Sequence, residues 1–170
     1  MNPAQIIWMI RVHMPQVLVI EAGSFAQPWA ETDFLACLKQ RNCIGMVYLD
    51  GEIVKGFVIY ELHRHSLHIL NFAVHPDCRL QGVGAAMCEK LFHKLSQQRR
   101  TEITVEVRDS NLSAQLFFQR QGFQAVKVIR GHYEPPWGDY EDAYQLSWKL
   151  RDLSKPYAAV NRISEFVERE

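Results

Sequence analysis

Between Asn71 and Ala86 the chain passes from an apolar run through a polar turn into Gly82-Val83-Gly84-Ala85-Ala86. That order reads as a buried strand, a tight turn and the opening of a helix. His75-Pro76 supports an extended exit from the strand, because a residue before proline avoids the helical region. Gly82 and Gly84 remove the Cβ that would hold a ligand away from the backbone. The first turn of a helix presents unpaired N–H groups and the positive end of its dipole. A pyrophosphate fits such a junction, with Arg79 adding a cation at the rim. A tight strand-to-helix turn alone accounts for both glycines equally well. The segment is neither a Walker A loop, since no Gly-Lys-Ser/Thr follows, nor Gly-x-Gly-x-x-Gly, since Met87 stands three residues after Gly84.

The flanking pattern predicts a mixed α/β sheet of about six or seven strands. Ile6 to Val12 is a first short strand, and Gly45 to Leu49 with Ile53 to Glu61 form a hairpin across Asp50-Gly51. Leu67 to Val74 pairs back on that hairpin. Helices are expected over Pro15 to Ser24 and Glu31 to Arg41, and a longer one over Gly82 to Arg99, where Val83, Met87, Leu91 and Leu95 recur every four residues. Ile103, Val105 and Val107 alternate with Thr104, Glu106 and Arg108, which gives a strand with two different faces. Ser110-Asn111 supplies cap chemistry for a helix carrying Leu112, Leu116 and Phe117, and Gly122 closes it. Gln124 to Ile129 and Ala143 to Leu150 are the last strands, separated by a turn-rich Gly131 to Glu141. Residues 1–150 form the domain. After a break at Arg151 to Pro156, Val160, Ile163, Phe166 and Val167 give residues 151–170 the pattern of a short amphipathic helix.

Lys and Arg total 19 and Asp and Glu total 19, a balance that disfavours a general nucleic-acid or membrane-surface binder. Hydrophobic residues at 48% and charged residues at 22% belong to a folded chain rather than a disordered one. No apolar run approaches the roughly 20 residues that span a bilayer, and Met1 to Val12 lacks a basic leader, so a cytoplasmic domain is expected. Cys37, Cys43, Cys78 and Cys88 form no Cys-x-x-Cys pair, and neither a disulfide framework nor a structural metal is expected. His63, His65 and His68 lack a carboxylate or Cys at ligand spacing and read as sheet or surface histidines.

Arg79-x-x-Gly82-x-Gly84 after Phe72-Ala73-Val74 resembles the acetyl-CoA motif of the GNAT N-acetyltransferase superfamily. Glu106-Val107-Arg108-x-Ser110-Asn111, a helix, and then Gly122-Phe123 resemble its later signature. Pro28-Trp29, Tyr133 to Pro135 and Glu141-Asp142-Ala143 are similar to the bacterial ribosomal-protein-alanine N-acetyltransferases. The resemblance covers Ile6 to Leu150. It implies a mostly antiparallel central sheet with helices on both faces, and acetyl-CoA as co-substrate. It also implies that the backbone of Phe72, Ala73 and Val74 pairs with the pantetheine arm like an added strand. Leu80, Gln81, Gly82, Val83, Gly84 and Ala85 would hold the pyrophosphate with Arg79 nearby, and Asn111 would bind near the thioester, or serve as a helix cap, or both.

Acetyl transfer to an amine needs a neutral nucleophile, a polarised thioester and a route for the thiolate to gain a proton. An α-amino group titrates near ~8, so one carboxylate acting through water suffices as base. The resemblance places that base at Glu106. It also places a general-acid tyrosine four residues before Gly-Phe, where this chain has Phe118, which has no proton to give. Three readings stay open: water protonates the thiolate, Tyr133 substitutes, or the chain binds acetyl-CoA without efficient transfer. Direct transfer without an acetyl-enzyme is expected, since no cysteine stands at a matched catalytic position. The acceptor implied is a peptide or protein amino terminus, with the alanine of a ribosomal protein as first choice and a small amine or lysine as rival. Asp139, Glu141 and Asp142 are read either as partners for a cationic peptide or as a solvated loop.

Overall fold

The computed structural model describes residues 3–134 and 139–152. The amphipathic helix expected beyond residue 152, along with Pro135, lies outside the described residues.

Apolar residues at every second position build a seven-stranded sheet in the order β1-β2-β3-β4-β5-β7-β6. β1 (Gln5–Trp8) forms one edge, antiparallel to β2 (Cys43–Asp50). β2 turns through Asp50-Gly51, with Gly51 at φ +62°, into β3 (Ile53–Leu62), as the Asp-Gly pair predicts. β4 (Ser66–Val74) pairs antiparallel to β3, and β5 (Glu102–Arg108) lies parallel to β4. β7 (Glu141–Lys149) fits antiparallel between β5 and β6 (Gln124–Tyr133).

Helices cover both faces. On one, α1 (Met14–Ala22) and α2 (Glu31–Leu38) bury Val17, Ile20 and Phe34 against Val47, Phe57, Ile59 and Ala73. On the other, α3 (Val83–Phe92) and α4 (Leu112–Arg120) bury Cys88, Leu91 and Phe118 against Tyr60, Leu67, Ile69, Ile103, Val105 and Val107. Each face is a separate apolar core, and burying one such large side chain contributes about 1.5–3 kcal/mol. Together they pin the register of the central strands, since a one-residue slip would send each buried set to the opposite face.

Most expected boundaries hold to within three residues, and the larger shifts are at β1, α3 and β6. β1 ends at Trp8, and Val12 falls in a short 3-10 turn over Arg11–His13. α3 ends at Phe92; Leu95, the last residue of its apolar stripe, stays in the core from a turn in which its N–H bonds to Phe92 O at 3.1 Å. β6 runs to Tyr133 instead of stopping at Ile129. Gly131 takes a left-handed φ of +59° and donates to Asp142 Oδ1 at 2.8 Å, so the strand passes an irregularity and resumes pairing at Tyr133–Glu141. The cysteine expectation is also corrected: Cys37 and Cys43 are joined as a disulfide. Cys37 lies in the last turn of α2 and Cys43 opens β2. The turn between them, closed by Cys43 N–H to Gln40 O at 3.1 Å, sets their Cα atoms 6.2 Å apart, within disulfide reach.

α3 and α4 meet closely at Gly84, where a Cβ would stand 2.9 Å from the Phe117 ring. Gly84→Val should therefore lower stability by about 1–3 kcal/mol through overpacking. Urea unfolding would check this, and an unchanged midpoint would show that Phe117 moves aside freely.

Candidate active site

The central sheet parts at one place. β4 and β5 pair from Ser66–Glu102 as far as Ile69–Val105 and no further. At the same level the β3–β4 register jumps from Tyr60–Ile69 to Ile59–Asn71, so Leu70 is an extra residue in β4. A bulge of this kind breaks the strict alternation of side chains. Ile69 packs in the α3/α4 core, while Leu70 packs in the α1/α2 core. Asn71 stays on the α1 side, hydrogen-bonded to Glu21, and Phe72 returns to meet Phe117 and Phe118 of α4. Beyond the bulge a cleft of about 200 Å³ opens, lined by residues of β4 and β5, by Asn111 and Phe118, and by Glu21, Trp29 and Tyr133.

Alternation along β5 sends Val105 and Val107 into the α3/α4 core and Glu106 to the opposite face. Glu106 lines the cleft, and its Oε2 accepts from His132 Nε2 at 2.7 Å. His132 arrives there because β6 continues past Gly131. Its neighbour Tyr133 lines the same cleft, and the Arg108 guanidinium lies 3.9 Å from the centre of the Tyr133 ring. Burial pushes the Tyr133 phenol above its ordinary 10.0; the Glu106 charge adds to the rise and Arg108 opposes it. Arg108 also pairs with Glu141 at 3.0 Å, and Glu141 accepts from Ser110 N–H at 2.8 Å. Asp142 is engaged as well, by Arg130 and Gly131 N–H. Glu141 and Asp142 thus brace β7 and the β5–α4 turn within the chain.

Two polar residues that sequence reasoning passed over stand at the cleft's α1 wall. Glu21 is 1% exposed; its Oε1 accepts from Trp29 N–H at 2.8 Å and its Oε2 from Asn71 Nδ2 at 3.0 Å. Burial pushes its carboxyl upward from the ordinary 4.5, and the donors from Trp29 and Asn71 oppose that rise. Asn71 is itself buried, and its Oδ1 has no hydrogen-bond partner among the described residues.

The glycine turn lies at the far end of β4. Arg79, Leu80, Gln81 and Gly82 are exposed, and Ala85 is exposed on the first turn of α3. Leu80 stands at φ +60° and Gly82, the cap of α3, at φ +84°. A left-handed leucine costs about 1–2 kcal/mol, which the rest of the turn must offset. Nothing lies within 4 Å of where a Gly82 Cβ would point, so an incoming group meets backbone and open space there. Gly84 and Val83, by contrast, are buried. The Arg79 side chain donates to Val74 O at 3.2 Å and to Ser24 Oγ at 3.0 Å, fastening the turn to the end of β4 and to the turn that follows α1. Asn111 caps α4, accepting from Ala114 N–H at 3.1 Å, and lines the cleft at the same time. Phe118 is 4% exposed and wedged among Phe72, Phe117 and Phe123, with one side on the cleft. A parted strand pair leading to an open helix start suits an elongated cofactor with an anionic group at one end.

Residues 13–123 match the acetyltransferase (GNAT) family. The chain is a GNAT acetyltransferase. It is 29% identical to the ribosomal protein bS18-alanine N-acetyltransferase of Escherichia coli K12 over 130 residues, 76% of this chain and 86% of that one. An uncharacterised N-acetyltransferase of Methanocaldococcus jannaschii is 30% identical over 139 residues, 81% of this chain and 86% of that one. Among solved structures, the Escherichia coli ribosomal-protein-S18-alanine N-acetyltransferase shares the fold with a TM-score of 0.77 at 24% identity, covering 91% of this chain and 99% of that one. Arabidopsis thaliana NAA60 in complex with acetyl-CoA shares it with a TM-score of 0.75 at 15% identity, covering 86% and 99%. The GNAT chain is accordingly an acetyl-CoA-dependent N-acetyltransferase.

Ser110 and then Arg108 hold the Glu141 carboxyl below its ordinary 4.5. A carboxyl with a depressed folded pKa stabilises above its unfolded value and loses that contribution as pH falls through the folded one. The stability gap between the wild type and Glu141→Gln should thus be full above about pH 4.5 and close below it. Urea unfolding of both proteins across that range is the check; a gap independent of pH would contradict the ion pair's role.

Proposed function

We propose that this GNAT enzyme transfers acetyl directly from acetyl-CoA to the N-terminal α-amino group of a protein, the terminal alanine of a ribosomal protein being the first substrate to try. The observation that carries this reading is Glu106, held by His132 in the cleft where β4 and β5 part, on the face away from α3 and α4. Likeness to the bS18-alanine enzymes over 76% of the chain supports the α-amino acceptor over a small amine or lysine side chain.

In this reading the backbone of Phe72, Ala73 and Val74 pairs with the pantetheine arm. The turn from Arg79 to Ala85 receives the pyrophosphate on its N–H groups, and Asn111 meets the arm near the thioester. Glu106 takes the amine proton, directly or through water, and the His132 N–H fixes which way the carboxylate faces. Phe118 closes the cleft as an apolar wall. Tyr133, with its phenol raised above 10.0, is a weaker acid than a thiol of about 8.5. A thiol with a pKa of ~8.5 leaves readily as its thiolate, so no strong acid is needed beside it and solvent can protonate it once it has departed. Tyr133 then serves as a wall on the acceptor side, stacked on Arg108.

Thiol release from acetyl-CoA, scanned over short peptides with lysine and polyamine controls, tests the reading. Release with an alanine-led peptide and none with its amino-blocked form is expected. Release with the amine controls alone would favour the small-amine reading, and acetyl-CoA binding without release on any acceptor would favour a sensor. Glu106→Gln should cut turnover by about 10²–10⁴-fold with acetyl-CoA affinity nearly intact; undiminished turnover would remove Glu106 from the mechanism. Phe118→Tyr should preserve or raise the rate. A severe loss with acetyl-CoA still bound would show that the hydroxyl disrupts the Phe72–Phe117–Phe123 packing.

A further inference from the structure

With the Glu21 carboxylate ionised, the Asn71 amide has one orientation. Its Nδ2 donates to Glu21 Oε2 at 3.0 Å, and an ionised carboxylate has no proton to offer an amide oxygen in that place. The other Glu21 oxygen is occupied by Trp29 N–H, so the carboxylate is fixed from both sides. Asn71 Oδ1 is left buried without a donor. Buried acceptors are rarely left unpaired, and this one belongs to a residue that the bulge has turned onto the cleft's Glu106 side.

We infer that Asn71 Oδ1 receives an N–H of the acceptor amine, and that Glu21 is the positioning residue that holds the amide ready to do so. The inference rests on the primary-amine reading proposed above. An attacking primary amine directs its lone pair at the thioester carbon and carries two N–H bonds. One proton passes to Glu106 as the N–C bond forms and the C–S bond breaks, the bonding pair leaving on sulfur. The second N–H stays on nitrogen throughout and needs an acceptor on the cleft wall. Asn71 Oδ1 supplies it without itself gaining or losing a proton. A secondary amine has no second N–H, so the same oxygen makes the site selective for primary amines.

Two variants separate this role from a structural one. In Glu21→Gln, the Gln oxygen still accepts from Trp29 N–H, while its amide donates to Asn71 Oδ1 and turns the Asn71 amide over. The melting temperature should hold or rise, because a buried charge is gone and the orphan oxygen is paired. The KM for an alanine-led peptide should nevertheless rise roughly tenfold, about one hydrogen bond's worth, with the acetyl-CoA KM unchanged. In Asn71→Ala, the preference for that peptide over its N-methylalanine counterpart should shrink by a similar factor, since the bond that distinguishes them is absent. Equal losses on the two acceptors in Asn71→Ala would overturn the inference. So would a Glu21→Gln enzyme that melts lower with an unchanged peptide KM. Should the wild type acetylate neither peptide, the α-amino reading falls by itself. The same variants, assayed on whichever primary amine is used and on its N-methyl form, then decide the role of Asn71.

Discussion

One extra residue in β4 sets the geometry on which the site depends. Leu70 has no cross-strand partner in the β3–β4 ladder, and the β4–β5 ladder ends beside it. Without the bulge, alternation would turn Asn71 toward α4 and Phe72 toward α1, and the two strands could continue side by side as a closed sheet. The bulge instead ends the pairing and leaves backbone for a ligand. It also delivers a polar side chain to the face where Glu106 stands. The apolar cores on the two faces make this arrangement hold, because Ile69 and Leu70 are buried on opposite sides of the sheet.

The two faces then divide the work. Toward α3 and α4 the cleft is walled by Phe72 and Phe118, and the open turn at Gly82 lies at the end of β4. Toward α1 and β6 it is polar: Glu21, Asn71, Glu106, His132 and Arg108 converge there, each tied to a named partner. In the proposed mechanism their mutual fixing matters for transfer, since a base or acceptor that has to reorient loses the advantage of being in place before the amine arrives. Glu141 and Asp142 contribute by ordering the frame around Arg108 and Gly131.

Much of the frame is legible in the residues themselves. The Asp50-Gly51 hairpin, the four-residue stripe from Val83 to Leu95, the Asn111 cap and the strand-turn-helix at Gly82 all arise from local pattern, and the structure has each of them. The polar face of the site was less visible because it depends on tertiary placement. Glu21 follows Val17 by one helical turn, and that spacing marks a carboxylate on a buried face. Asn71 is the lone amide in the apolar run from Leu67 to Val74, but nothing local announces the bulge that turns it. His132 was hidden by Gly131, whose glycine reads as a turn yet serves to carry β6 past an irregularity. The Cys37–Cys43 bond likewise depends on how α2 hands over to β2, which Cys spacing alone does not encode.

In the proposed mechanism both substrates meet where β4 and β5 part. A CoA joined through an acetyl bridge to the amino nitrogen of an alanine-led peptide tests it directly, measured by calorimetry against CoA and the free peptide. If the two arms occupy one continuous cleft, the joined compound should bind roughly 10²–10⁴-fold more tightly than CoA alone. Binding no tighter than that of CoA would show that the peptide does not enter beside Glu106, and would contradict the shared cleft.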